Sequence, residues 1–175
     1  MVEGDWKSRI VELVFVKQAL READREDLWP HHLPGIAATE AQLLAVEARI
    51  GEPLDPAHRA FLATAGGWRG LFQTIDLLGP EDFLGGTRWA RAAELLGYVS
   101  DDVLVSAGLG REHVLPIAAS TIEIDVFVIG LRSSRSPGVV VWFAGDEVER
   151  FASFDDFFAA MVDCNRREIL KLRAS

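Results

Sequence analysis

The hydrophobic positions of this chain change period near residue 70, and the change separates predicted helices from predicted strands. Before that point apolar residues recur every three or four positions, the spacing of a helix buried on one side. The pattern predicts a first helix over residues 5–27, with Asp5 as its cap. The apolar stripe of that helix comprises Trp6, Ile10, Leu13, Val16 and Leu20. Two prolines in residues 29–35 prevent continuation of the helix, so this segment is predicted to be a linker.

Two shorter helices are predicted to follow the linker. Thr39 and Gln42 have the spacing of a capping box, in which each side chain binds the other residue's backbone N–H. Gly51 is expected to end this helix. The next one starts at Asp55-Pro56 because proline is tolerated at the first helical position, and it stops at residues 66–67, both glycine.

Alternation of apolar and polar residues then predicts strands. The first covers residues 71–77, and a further helix capped by Thr87 ends at Gly97, with a helical turn at residues 101–106. Later strands are predicted at residues 114–118, 122–131, 139–143 and 148–151, and Ser153 caps a final helix. The turn at residues 144–146 is too short for a parallel crossover, so its strands must be antiparallel. The fold class is therefore α+β, a mainly antiparallel sheet packed against helices, with an additional N-terminal amphipathic helix.

Charge and composition narrow the class of partner. The formal net charge is −9 and the sequence pI is about 4.9, which repels nucleic acid and anionic membrane and favours encounter with a basic protein. The single Cys164 cannot form an intramolecular disulfide. The amino terminus lacks a basic region, and no apolar run approaches the roughly 20 residues of a spanning helix. We expect a cytoplasmic protein.

Few residues have the spacing of a catalytic or metal site. Glu123 and Asp125 share one face of a predicted strand, opposite Ile122 and Ile124, where they could hold a metal or divide acid and base roles. The other interpretation is the solvated face of a sheet, with the isoleucines in the core. His31 and His32 are predicted in the linker, His58 and His113 at polar boundaries of elements, and Cys164 in the core. No phosphate-binding loop, nucleophile elbow or His-Glu-x-x-His spacing occurs. We therefore predict no catalytic, cofactor or metal site.

The order of these positions resembles the SUKH superfamily, which includes the Smi/Knr-type proteins. The amino-terminal part of the resemblance comprises Leu33-Pro34, Thr39-Glu40, Leu43, Glu47, Ile50-Gly51, Pro53-Leu54, Phe61-Leu62 and Gly66-Gly67. The later part comprises Pro116-Ile117-Ala118, the strand from Ile122, Val139-Val140-Val141-Trp142 and Ser153-Phe154-Asp155-Asp156-Phe157. It covers residues 33–161, so we divide the chain into an N-terminal helix and linker, 1–32, and a SUKH-like domain, 33–175, within one compact domain overall. The resemblance implies a non-enzymatic immunity protein that neutralises a bacterial toxin, often a nuclease.

Three hypotheses follow from these observations. In the first, a cytoplasmic immunity protein binds a basic cognate toxin, and the residues expected at the contact are Trp68, Glu123, Asp125, Asp146 and Glu147. In the second, a regulatory or scaffold module of the same fold forms a homodimer through the apolar stripe of the N-terminal helix, and removal of the residues before Leu33 changes its oligomeric state without unfolding the rest. In the third, the chain is a hydrolase that uses Glu123 and Asp125.

Overall fold

The computed structural model describes residues 5–175, which form seven α-helices and six β-strands. The helices are α1 (Trp6–Ala23), α2 (Glu40–Ile50), α3 (Pro56–Leu62), α4 (Pro80–Phe83), α5 (Thr87–Gly97), α6 (Asp101–Ser106) and α7 (Phe154–Ala174). The strands are β1 (Trp68–Phe72), β2 (Ile75–Leu77), β3 (Val114–Ser120), β4 (Val126–Gly130), β5 (Val140–Ala144) and β6 (Asp146–Phe151). This arrangement confirms the predicted α+β class and the N-terminal helix.

Four helices begin at side chains that the sequence identified as caps. The side chain of Asp5 accepts a hydrogen bond from the backbone N–H of Ser8. Thr39 and Gln42 form the predicted capping box. Asp55 and Ser153 cap α3 and α7 in the same way. Such caps satisfy N–H groups that have no partner within the helix, so they specify where each helix starts.

The sheet is antiparallel throughout, with strands in the order β1-β2-β3-β4-β5-β6. Every residue of β3 and β4 is buried, as expected for central strands with both faces covered. Helices α1 and α7 lie side by side, and α7 also contacts β1 and β6. Helix α5 packs on β3 and β4. The predicted antiparallel sheet is confirmed.

The apolar stripe of α1 packs within the chain. The Trp6 ring lies 5.5 Å from Phe61, 5.5 Å from Phe154 and 5.3 Å from Phe158, all between ring centroids. Four of the five stripe residues are buried; they are Trp6, Ile10, Leu13 and Leu20. The stripe proposed for a homodimer surface is therefore core, because α3 and α7 of the same chain cover it.

Several predicted boundaries are wrong, each for a local reason. Helix α1 ends at Ala23 and not at residue 27, since the Asp24 carboxylate accepts hydrogen bonds from the N–H groups of Leu28 and Trp29 and turns the chain. Residues 71–77 belong to two strands, because Gln73 adopts φ 51° and makes a hairpin turn.

Two further boundaries differ in the second half of the chain. Gly86, not Thr87, is the cap residue of α5. Strand β6 begins two residues earlier than predicted, at Asp146, where it pairs with Ala144 across the turn. Among the residues that the structure describes, no helix is long and apolar enough to cross a membrane.

Candidate functional site

The largest departure from the predicted strands is an exposed loop between β3 and β4, residues 121–125. We call it the β3–β4 loop. The predicted strand from Ile122 begins only at Val126, because the Ser120 hydroxyl accepts hydrogen bonds from the backbone N–H groups of Ile122 (3.2 Å) and Glu123 (2.8 Å). A hydroxyl that binds N–H groups two and three residues ahead stabilises a turn in place of a strand.

Three neighbouring elements hold this loop in one shape. From α5, Arg91 donates Nη2 to the Glu123 carbonyl oxygen (2.9 Å) and Nε to the Ser120 carbonyl oxygen (3.3 Å). From β5, the Trp142 indole Nε1 donates to Asp125 Oδ1 (2.7 Å). From the β1–β2 turn, the Thr74 carbonyl oxygen accepts from the Thr121 N–H (3.0 Å). The loop is therefore organised before any partner binds.

This organised loop presents apolar side chains to solvent. Ile122 is 69% exposed and Ile124 is 53% exposed, whereas both were predicted to face the core. Glu123 lies between them and is also exposed, and Asp125 is half-buried because it accepts the indole hydrogen bond. The expected pair of carboxylates on one strand face is wrong, since neither residue belongs to a strand.

The hairpin between β5 and β6 reaches the same end of the sheet. Val126, the residue after the loop, pairs with Phe143, and Ala144 pairs with Asp146 across the hairpin turn. Asp146 and Glu147 are exposed there. Four of the five residues expected at the contact thus meet at one end of the sheet; they are Glu123, Asp125, Asp146 and Glu147.

Trp68, the fifth expected contact residue, lies in the interior. Only 1% of it is exposed, and its indole Nε1 donates to the His32 carbonyl oxygen (3.0 Å). It joins β1 to the linker after α1 and offers no surface at the loop. Trp29 and Trp89 are half-buried, and Trp29 donates to Glu168 Oε1 (3.1 Å).

The histidines and the cysteine do not form a catalytic group with these carboxylates. His58, predicted at a polar boundary, is fully buried against Phe83 and Phe154, and neither ring nitrogen has a hydrogen-bond partner. His113 Nδ1 lies 3.0 Å from the Ser133 hydroxyl, at an exposed position. Cys164, expected in the core, is half-buried, and its Sγ accepts from Arg167.

One group of side chains in the described residues has ligand atoms close enough for a metal ion. It comprises Asp24, Asp27 and His31, whose ligand atoms lie within 4.8 Å of one another. Asp24 already accepts hydrogen bonds from the N–H groups of Leu28 and Trp29, and its Oδ2 lies 3.0 Å from His31 Nε2. These hydrogen bonds stabilise the turn after α1, and they explain why the side chains of the group lie close together.

A groove of about 650 Å³ lies near that turn, between the carboxyl ends of α1 and α7. Charged side chains such as Glu22, Arg25 and Lys171 line it. None of the carboxylates expected at the contact borders this groove. The groove therefore gives no support to the hydrolase hypothesis that uses Glu123 and Asp125.

Sequence reasoning missed four residues of the candidate site: the exposed Ile122 and Ile124, and Arg91 and Trp142, which hold the loop. Alternation with Glu123 and Asp125 made the isoleucines resemble one buried face of a strand. The signal that could have corrected this is Ser120-Thr121, two hydroxyl residues at the start of the segment, which favour a turn. The roles of Arg91 and Trp142 depend on tertiary contacts and leave no local pattern.

Comparison with known proteins agrees with this architecture. A family model described as "SMI1 / KNR4 family (SUKH-1)" matches residues 37–160, from the segment before α2 into α7. No curated protein sequence matches the chain. The matched region includes all six strands and the β3–β4 loop, and it leaves α1 outside. Since the match covers more than half of the sequence, this chain is a member of the SMI1/KNR4 (SUKH-1) family.

Proposed function

We propose that this chain is a non-enzymatic immunity-type domain that binds and neutralises a basic cognate toxin in the bacterial cytoplasm. The observation that carries the proposal is the β3–β4 loop, where two exposed isoleucines lie among carboxylates on a loop held by hydrogen bonds from three elements. A loop that is already ordered loses little conformational entropy on binding, which favours tight association.

The chemistry of the loop fits a protein partner. Exposed aliphatic side chains supply the apolar centre of an interface, and the surrounding carboxylates supply a polar rim. The carboxylates of Glu123, Asp125, Asp146 and Glu147 are part of the acidic excess that gives the chain a net charge of −9. An acidic surface of this kind is complementary to the basic nucleic-acid track of a nuclease. Electrostatic attraction would therefore also accelerate the encounter of the two proteins.

A co-expression experiment tests the proposal. The neighbouring genes are searched for a basic toxin domain. That domain is expressed in bacteria with wild-type protein or with the double variant Ile122→Ser/Ile124→Ser, and growth is measured together with binding by calorimetry. We expect protection by the wild type and a loss of at least about tenfold in affinity for the variant, since each buried aliphatic side chain contributes about 1.5–3 kcal/mol.

The opposite end of the sheet provides a matched control. Leu33 and Ile36 are 76% and 94% exposed on a loop that is held by backbone hydrogen bonds from Gly35 N to Gly67 O (2.8 Å) and from Gly66 N to Gly35 O (3.0 Å). Leu33→Ser/Ile36→Ser should leave protection intact. If this control abolishes protection and the loop variant does not, the contact surface is at the other end and our assignment is wrong.

The alternative, a regulatory or scaffold module that self-associates, is favoured by one observation. Val11 and Phe15 are 46% and 65% exposed and lie one turn apart on the outer side of α1, opposite the buried stripe. They replace the buried stripe as the candidate dimer contact. Sedimentation of the wild type and of Phe15→Glu at several concentrations tests this alternative, since a dimer through this side of α1 should dissociate in the variant.

A further inference from the structure

The two edges of the sheet differ in how their main chain is covered. On β1, the Gly70 carbonyl oxygen accepts from Lys17 Nζ (2.7 Å) and the Leu71 carbonyl oxygen accepts from Asn165 Nδ2 (2.9 Å), so α1 and α7 cover this edge. Within residues 5–175, no hydrogen bond joins the main chain of β6 to any element other than β5. Strand β6 is therefore a free edge.

The side chains along β6 are also exposed to solvent. All residues from 146 to 150 are exposed, and only Phe151 is buried. In an antiparallel strand, alternate residues direct N–H and C=O away from the paired neighbour, so roughly three residues of β6 offer unpaired groups to solvent. Val148, 51% exposed, occupies a bulge opposite Trp142 and Phe143.

Charge along this edge selects what can pair with it. Asp146, Glu147 and Glu149 carry three carboxylates. The only basic side chain of β6, Arg150, is turned toward α6. Its Nη2 donates to the carbonyl oxygen of Ala107, the residue after that helix (2.5 Å), and its Nε donates to Glu147 (2.9 Å). A second copy of this acidic edge would be repelled, because like charges directly opposite each other destabilise strand pairs.

We propose that β6 accepts an extended basic segment of the partner as a seventh strand of the sheet. Main-chain hydrogen bonds would supply affinity, and alternate Lys or Arg side chains on the face shared by Asp146 and Glu149 would supply register and selectivity. The inference rests on the proposed function in so far as the natural donor of the strand is the toxin. It adds the contact mode, which the β3–β4 loop alone does not specify.

Synthetic peptides test the inference without the toxin. The probe is a peptide of about eight residues with alternating Lys and Val, compared with the same peptide in which Glu replaces Lys. Binding is followed by amide chemical shifts and hydrogen exchange of the isotope-labelled full chain. We expect the basic peptide to shift the β6 amides and to slow exchange at alternate β6 positions by at least about tenfold, and the acidic peptide to have neither effect.

A third peptide separates strand pairing from simple charge attraction. It keeps every Lys but carries N-methyl groups on alternate amides, which removes main-chain donors and leaves charge unchanged. We expect its affinity to fall by at least about tenfold. Equal binding of the methylated peptide, or shifts only outside β6, would overturn the inference.

A charge-reversal variant provides a second test of the inference. Asp146→Lys/Glu149→Lys should exchange the preference, so that the acidic peptide binds and the basic one does not. Its melting temperature shows whether the variant is folded. If the toxin protects the β3–β4 loop but leaves β6 amides exchanging freely, the inference fails and the proposed function stands. If no toxin is neutralised while the peptides add to β6, the proposed function fails and the free edge remains a binding site.

Discussion

His58 shows how one residue can be placed in the core without a pattern that predicts it. It follows Asp55-Pro56 in the first turn of a short helix, which is normally an exposed position. In the structure its ring packs 4.9 Å from the Phe154 ring and 5.8 Å from the Phe83 ring, measured between centroids. Burial lowers the pKa of His58 from 6.5 to about 3, so the imidazole is neutral in the folded protein near neutral pH.

We predict that His58 makes the protein sensitive to mild acid. Because the pKa of His58 is lower in the folded state than in the unfolded state, the unfolded state binds the extra proton as pH falls below 6.5. The free energy of unfolding should then decrease by up to about 1.4 kcal/mol per pH unit between pH 6.5 and pH 4. Urea unfolding at several pH values measures this slope, and His58→Leu should remove it.

Two comparisons isolate the contribution of His58. Burial raises the pKa of Asp55, which has the opposite effect on stability, so the difference between wild type and His58→Leu is the informative quantity. His32 is exposed, and His32→Gln is the matched histidine control, which should leave the free energy of unfolding at neutral pH unchanged. A His58→Leu protein with an unchanged acid slope would show that the imidazole is protonated without penalty.

Three glycines at the opposite end of the sheet lie where a larger residue would not fit. A Cβ on Gly66 would collide with the Ile36 carbonyl oxygen, and a Cβ on Gly35 or Gly79 would collide with the Gly66 carbonyl oxygen. We predict that Gly66→Ala lowers the free energy of unfolding by about 1–3 kcal/mol, because backbone must move. Gly97, with no atom within 4 Å of an added Cβ, is the control, and Gly97→Ala should leave stability unchanged or raised. Thermal unfolding of both variants gives the comparison.

At the scale of elements, local chemistry predicted helix starts better than strand ends. Asp5, Thr39, Asp55 and Ser153 cap helices within three residues of themselves, so a short sequence window contains both partners. The end of β3 depends on Ser120, whose hydroxyl also lies 2.8 Å from the Thr74 hydroxyl on the β1–β2 turn. That contact joins residues 46 positions apart, which alternation of apolar residues cannot reveal.

The β3–β4 loop should therefore depend on the Ser120 hydroxyl. Ser120→Ala removes the acceptor for the Ile122 and Glu123 N–H groups, and we predict a loss of about 1–3 kcal/mol in the free energy of unfolding. Hydrogen exchange at these two amides should accelerate more than at the centre of β4. Ser106→Ala, at an exposed residue of α6, should alter neither quantity. Unchanged exchange in Ser120→Ala would show that Arg91 and Trp142 suffice to hold the loop.

At the scale of the whole molecule, the candidate site was predictable in part. The acidic residues were visible in the sequence, although Glu123 and Asp125 were predicted on a strand and not in a loop. Strand register then brought Glu123, Asp125, Asp146 and Glu147 to one end of the sheet. The apolar centre was not predictable, because the exposure of Ile122 and Ile124 depends on a turn that replaces a strand. Trp68 is the opposite case. It was expected at the contact surface, but its indole is buried and donates a hydrogen bond to the linker that follows α1.

The relation between α1 and the family region is also a property of the whole molecule. The family match begins at residue 37, yet α1 fills one face of the core. Lys17 extends this contact into a buried polar network, with Nζ 2.7 Å from the Gly70 carbonyl oxygen and 3.4 Å from Asn165 Oδ1. Burial lowers the pKa of Lys17 to about 8, because docking of α1 takes its ammonium group out of water.

Removal of residues 1–32 should consequently unfold the remainder, in contrast to the sequence-based expectation that only the oligomeric state changes. Four buried stripe residues contribute about 6–12 kcal/mol of apolar burial, comparable with the about 5–15 kcal/mol total stability of a typical domain. A milder test uses Leu13→Ala, which should cost about 2–5 kcal/mol, beside Val11→Ala on the exposed side of α1, which should cost little. Urea unfolding followed by tryptophan fluorescence measures all three proteins. A truncated chain that unfolds cooperatively at the wild-type midpoint would show that the family region is stable without α1, and that the core contacts of Trp6 and Leu13 contribute nothing to it.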